Sequence, residues 1–145
     1  VVLDIEDAVA PKDKAAARSN VVKWLGAGNS DWVRVNGFGT PWWADDLELL
    51  ADTSVGGVML AMVESVDHVT ETAKRLPGVL IVALVETARG LERITEIAAA
   101  KGTFRVVSGP GRLHHGGPPI RRQAGKEDGP LRLGGGHGEL VADPP

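Results

Sequence analysis

Short β-forming runs alternate with helical patterns through the first hundred residues, and only a few residues join one to the next. Val1–Ile5 reads as a strand. Pro11 suits a first helical turn, and Lys12–Leu25 follows as a helix with apolar positions at Ala16, Val21, Val22 and Leu25. Trp32–Val35 is a second strand. Thr40 and Pro41 have the residue types of an N-cap and a first helical position, which predicts a helix through Leu50. Val58–Val63 is a third strand, and Ser65 caps a helix that stops at Pro77-Gly78. Val79–Val85 is almost wholly apolar, as strands buried on both faces are, and Thr87 caps a helix reaching Ala100. Phe104–Val107 begins a fifth strand.

This alternation demands a parallel α/β sheet, because parallel neighbours need a crossover and a helix supplies it. Two closures satisfy it: an open doubly wound sheet and a (β/α)8 barrel. No Gly-x-Gly-x-x-Gly follows the first strand, which weakens the dinucleotide-binding version of the former. The charges are the sharper clue. Asp4, Glu6 and Asp7 lie at the end of the first strand, Arg34 and Asn36 end the second, Glu64 the third and Glu86 the fourth. Barrel enzymes carry their chemistry on this C-terminal rim. A single such charge is as readily a helix cap or a loop carboxylate. Four consecutive strands ending this way point to a site.

Composition narrows the function. The 145 residues carry 16 basic and 19 acidic side chains, a net charge of -3, which is no footprint for nucleic acid. There is no cysteine, hence no disulfide framework and no thiolate ligand or nucleophile, which fits a reducing, cytoplasmic compartment. No apolar run approaches the roughly 20 residues of a membrane span, and the N-terminus has no signal-peptide pattern. The chain opens on an apolar run without a Met, as though inside a domain. Its two regions meet near residue 107. Residues 105–145 hold 10 of the 19 Gly, 6 of the 9 Pro and 3 of the 4 His, and apolar periodicity ends at Val107. The expected division is a domain over 1–107 and a Gly/Pro-rich tail over 108–145. His114-His115 and His137 have no metal-ligand spacing, since adjacent residues point apart on regular structure.

Four segments carry a resemblance. Leu3-Asp4-Ile5-Glu6-Asp7-Ala8-Val9 with Pro11, Lys14 and Arg18 is the first. Val33-Arg34-Val35-Asn36 with Thr40-Pro41-Trp42 is the second. Gly57-Val58-Met59-Leu60 leading to Val63-Glu64-Ser65 is the third, and Leu84-Val85-Glu86-Thr87-Ala88-Arg89-Gly90 the fourth. In order and spacing they closely resemble the signature of the citrate lyase β-subunit family, the HpcH/HpaI aldolases that include citryl-CoA, malyl-CoA and citramalyl-CoA lyases. Each is weak alone and specific in combination.

The resemblance implies a (β/α)8 barrel, here a partial one, assembled in the intact family member as a homo-oligomer, a trimer or hexamer. It implies Mg²⁺-dependent cleavage of a carbon–carbon bond in a 3-hydroxyacyl thioester carried on CoA or an acyl carrier. By that resemblance Glu86 is a metal ligand and contacts substrate, and Arg34 forks onto the substrate carboxylate. Glu6 and Asp7 stand near the metal's water shell and orient it. Glu64 is as readily a cap or supporting carboxylate as a direct participant.

There are departures. Ala61-Met62 stand where the family has Pro-Lys, so a cation is missing from the rim. The family's Phe-Gly-x-x-Asp segment, bearing the second metal ligand, is not found: the chain reads Val107-Ser108-Gly109-Pro110-Gly111. A shifted reading frame accounts for this. Codons for Gly111–Pro118 can be chosen that, read one nucleotide later, give Gly-Asp-Phe-Thr-Thr-Glu-Ala, which resembles the family's continuation. Two further functions compete with the lyase: a catalytically inactive fragment of the family, and an aldolase acting on free hydroxy-oxoacids.

Overall fold

The structure is a computed structural model that describes residues 1–108; the Gly/Pro-rich tail with its histidines and the shifted frame falls outside the described residues from 109 onward. Five strands form one sheet in the sequential order β1 (Val2–Asp4), β2 (Trp32–Val35), β3 (Gly57–Leu60), β4 (Leu80–Leu84) and β5 (Thr103–Val107). All four pairings are parallel. Between them run α1 (Lys14–Gly26), α2 (Trp43–Ala51), α3 (Val66–Arg75), α4 (Ala88–Glu92) and α5 (Ile94–Ala98).

Sequential order separates the two closures left open by the sequence. A doubly wound sheet reverses its strand order at a switch point, whereas a barrel advances strand by strand. Alternation along the strands shows the same. Val33, Val35, Val58, Leu60, Ile81, Ala83 and Val106 are buried and join the helix residues Leu25, Leu47, Leu50, Val69 and Ile97 in one core. The opposite face carries Asp4, Arg34 and Met59 in register. On that face the Trp32 ring lies over Gly57, where a side chain would strike it, and reaches Phe104 at 6.1 Å. The helices therefore cover one face, and the other is the concave interior of a partial barrel.

Several element ends differ from the sequence expectations. The β1–α1 connection ends in a single 3₁₀ turn at Pro11–Asp13 before α1 begins at Lys14. Thr40 does not cap α2. Its hydroxyl donates to the Gly37 carbonyl at 2.8 Å, and the helix starts three residues later at Trp43. The last predicted helix is two, α4 and α5, broken at Arg93. Thr87 does cap α4, accepting the Gly90 amide at 3.1 Å. No helix among the described residues is long and apolar enough to cross a membrane.

Candidate active site

The C-terminal ends of β1, β2 and β4 bring Asp4, Glu6, Arg34 and Glu86 to one rim. Asp4 and Arg34 are paired in register on adjacent strands, so both side chains project from the concave face. The Arg34 guanidinium forks onto Asp4, Nε to Oδ1 at 3.0 Å and a terminal nitrogen to Oδ2. Its other terminal nitrogen lies 3.4 Å from Glu6 Oε2. Arg34 is thus clamped by two carboxylates, yet a quarter of its side chain stays exposed.

Asp4 also shapes the loop it precedes. Its Oδ1 accepts the Glu6 amide at 2.9 Å and its Oδ2 the Ala8 amide at 3.3 Å. Burial pushes the Asp4 carboxyl up, but the hydrogen bond from Arg34, the two amides and the guanidinium charge outweigh it and hold the group below the usual carboxylate range. Glu6 goes the other way. Burial raises it first, and the like charges of Asp7 and Glu86 add to this against the Asp7 amide and Arg34. The Glu86 charge therefore reaches Glu6 across the rim. Asp7 is itself exposed, and its amide holds Glu6 Oε2 at 2.8 Å. Glu86 Oε2 accepts the Met62 amide at 3.2 Å. Met62 has a φ of 55°, the left-handed region that a side-chain-bearing residue adopts only when its surroundings hold it there.

Of the candidates from the sequence, the rim gathers Arg34, Glu6 and Glu86, and leaves Asp7 contributing through its backbone. The Glu64 carboxylate lies 3.6 Å from the exposed Arg89 guanidinium. Asp4 was passed over as a site residue, although it stands in the Leu3–Asp7 run and its register partner is Arg34. Also passed over is a buried polar network beneath the loop. The Lys14 ammonium gives its three hydrogen bonds to the carbonyls of Ile5 (2.8 Å) and Glu6 (2.6 Å) and to Asn36 Oδ1 (2.8 Å). Asn36 Nδ2 donates to Asp46 Oδ2 at 2.6 Å, and Arg18 Nε to Asp46 Oδ1 at 2.7 Å. Asp46 is fully buried, and Lys14 and Arg18 nearly so. Lys14 and Arg18, spaced four apart on α1, thereby fix the backbone that presents Glu6.

The donor chemistry suits a hard cation in part. The rim offers carboxylate oxygens, but among the described residues no three acidic or imidazole side chains converge closely enough to hold a metal by themselves. Mg²⁺ asks for less, since it keeps several waters and takes one or two carboxylates. Glu86 and Glu6 are the two rim carboxylates that could serve such an ion, each in charge range of the other.

Known proteins resemble this chain in sequence and fold. Residues 1–114 match the family described as HpcH/HpaI aldolase/citrate lyase. A citrate lyase subunit beta-like protein of Mycobacterium tuberculosis is 43% identical over 109 residues, covering 75% of this chain and 38% of that protein. An L-malyl-CoA/beta-methylmalyl-CoA lyase of Rhodobacter capsulatus is 37% identical over 125 residues, covering 73% of this chain and 39% of the lyase. The crystal structure of the M. tuberculosis protein CitE in complex with magnesium, acetoacetate and coenzyme A superposes with a TM-score of 0.65 at 42% identity, over 75% of this chain and 39% of that one. The chain thus spans about two fifths of the length of the curated relatives it matches.

Proposed function

The chain belongs to the HpcH/HpaI aldolase/citrate lyase family, and on that premise we propose that residues 1–107 supply the Arg34–Glu86 half of a Mg²⁺-dependent site that cleaves a 3-hydroxyacyl thioester. The observation that supports this is a clamped Arg34 guanidinium and the Glu86 carboxylate on one rim, with Glu6 in charge range of both. The M. tuberculosis structure holds magnesium, acetoacetate and coenzyme A together, and the R. capsulatus relative is a malyl-CoA lyase. The substrate is a small CoA thioester of the malyl, citramalyl or citryl type, and the whole protein is a cytoplasmic homo-oligomer, a trimer or hexamer.

In the cleavage direction the bond between C2 and C3 of the substrate breaks. The C3 hydroxyl gives up its proton and C3 becomes the carbonyl of an oxoacid. The electron pair passes to C2 as a thioester enolate, which takes a proton and leaves as the shortened acyl thioester. A bound Mg²⁺ supplies the Lewis acid for the developing oxyanion. Arg34 orients the substrate carboxylate through the part of its guanidinium left exposed. Asp4 holds Arg34 in place, and Glu6, steadied by the Asp7 amide, would orient the water shell of a metal held by Glu86. Met62 in place of the family's lysine leaves a less cationic, more apolar rim beside the acyl group.

Titration calorimetry of the 145-residue chain with Mg²⁺ tests the ligand assignment. Glu86→Gln keeps the hydrogen bond from Met62 and loses the charge, so the affinity falls at least about tenfold. Equal affinity in wild type and variant would remove Glu86 from the site. Sequencing the genomic locus tests the reading of residues 108–145 as a shifted frame.

A further inference from the structure

His68 occupies the third position of α3, half-buried against the β2–α2 loop. Its ring stacks on Phe38 with centroids 4.7 Å apart and planes 20° apart. Phe38 in turn meets Trp43 edge-on at 4.8 Å. The Trp43 indole donates to Thr72 Oγ1 at 3.2 Å, and the Thr72 hydroxyl donates to the His68 carbonyl at 2.8 Å. Ring and backbone of His68 are therefore both fixed. Its Nδ1 accepts the Glu64 amide at 3.3 Å. Ser65, the N-cap residue, makes no side-chain cap bond of its own. The imidazole performs the task of a capping-box side chain, reaching back from the third helical position to a free amide ahead of the helix.

That amide belongs to the short run that also contains Met62. Met62 is held left-handed, and its own amide points at Glu86. Gly37 presses on the same run from the β2–α2 loop: a Cβ there would lie 3.0 Å from the Ala61 carbonyl oxygen and 3.2 Å from the Met62 Cβ. We propose that His68 is a positioning residue for Glu86, clamping the β3–α3 connection between Phe38 and the Glu64 amide so that Met62 keeps the strained conformation that aims its N–H at the Glu86 carboxylate.

Only a neutral imidazole has the acceptor this clamp needs. Burial lowers His68 below its ordinary value, against the opposing pull of Glu64, the Met62 carbonyl and Asp67. The other charges around it are Arg89, paired with Glu64 at 3.6 Å, and Arg75, 4.7 Å above the Trp43 ring. The clamp is thus closed at neutral pH and opens as the ring protonates. Its effect on metal binding rests on the assignment of Glu86 as the Mg²⁺ ligand, whereas its effect on the Met62 amide does not.

Amide spectra of the 145-residue chain, recorded without metal from about pH 8 to about pH 5, separate the two. The Glu64 and Met62 amides are expected to move together with the midpoint of the His68 ring protons. The Thr53 amide, bonded to the Leu50 carbonyl, is expected to stay still. His68→Phe keeps the stacking and removes the acceptor, so the shared midpoint disappears and Met62 sits at its low-pH position throughout. His68→Asn restores a non-titrating acceptor and holds Met62 at its high-pH position. In Mg²⁺ titrations near pH 8, His68→Phe binds at least about tenfold more weakly and His68→Asn recovers most of the loss. A Met62 amide indifferent to His68 titration, or one titrating alike in His68→Phe, overturns the inference. Amide coupling with no loss of Mg²⁺ affinity in Glu86→Gln keeps the clamp and removes Glu86 as the ligand. The wild-type titration needs no variant, so a poorly folding substitution leaves the question decidable.

Discussion

Arg34 is held before any substrate arrives, and the residue that holds it is Asp4. Asp4 makes a testable contribution to stability. Its folded pKa lies below the ordinary 3.8, so the folded state binds fewer protons than the unfolded one as the pH falls toward that range. Its stabilisation is therefore fully present above about pH 4 and is lost as the pH drops through the folded value. Urea midpoints of wild type and Asp4→Asn should differ near neutrality and converge in acid, and a gap that stays constant with pH would contradict the pairing. Asp46 carries a larger stake, because Arg18 and Asn36 both depend on it. Removing one partner of a buried ion pair costs about 3–5 kcal/mol, so Asp46→Ala should lower the urea midpoint by that equivalent, and a change below about 1 kcal/mol would show the pair to be dispensable. At this scale the sequence was partly legible. Arg34, Glu6 and Glu86 stood out because four consecutive strands end in charged or polar residues. Asp46 did not, and Lys14 and Arg18 entered only as members of the first resembling segment, because on a helix a charge facing the core and one facing water look alike until the neighbours are known.

Strands were easier to read than helix ends. An apolar run such as Val79–Val85 has one stable use in a chain of this pattern, and β4 lies within it. Helix starts depend on which local hydrogen bond wins. Thr40 has the residue type of a cap, but its hydroxyl turns back to Gly37 and the helix waits until Trp43. Thr87 has the same chemistry and does cap, because Gly90 stands three residues on with its amide free to donate. Gly90 is needed for a second reason. A Cβ at that position would fall on the Val63 carbonyl and against a Val85 methyl, in the connections that follow β3 and β4. Both neighbours are fully buried and have no room to retreat. Overpacking of this kind costs about 1–3 kcal/mol, so Gly90→Ala should lower thermal stability despite the better helix propensity of alanine. A higher melting temperature in the variant would show that α4 can lift from the sheet.

As a whole molecule, the described residues form a sheet with helices on one face and an open concave face opposite. That face is apolar away from the rim, with Val2, Leu80 and Phe104 each between two fifths and half exposed, and charged at the rim, where Asp4 and Arg34 stand. The parallel order was legible from the alternation of elements. The choice of barrel over doubly wound sheet was not, since it depends on strand order, which composition and periodicity leave open. The resemblance made that choice, and the sequential sheet bears it out. Mg²⁺-dependent release of oxoacid from malyl-CoA, citramalyl-CoA and citryl-CoA, by the full-length protein with its proposed frame restored, tests most directly the proposal that residues 1–107 carry one half of a thioester lyase site. Cleavage of at least one of the three is expected only with Mg²⁺, with a loss of at least about 100-fold in kcat/KM for both Arg34→Ala and Glu86→Ala. Turnover that persists without divalent metal, turnover unchanged in those two variants, or turnover of free hydroxy-oxoacids alone would contradict it.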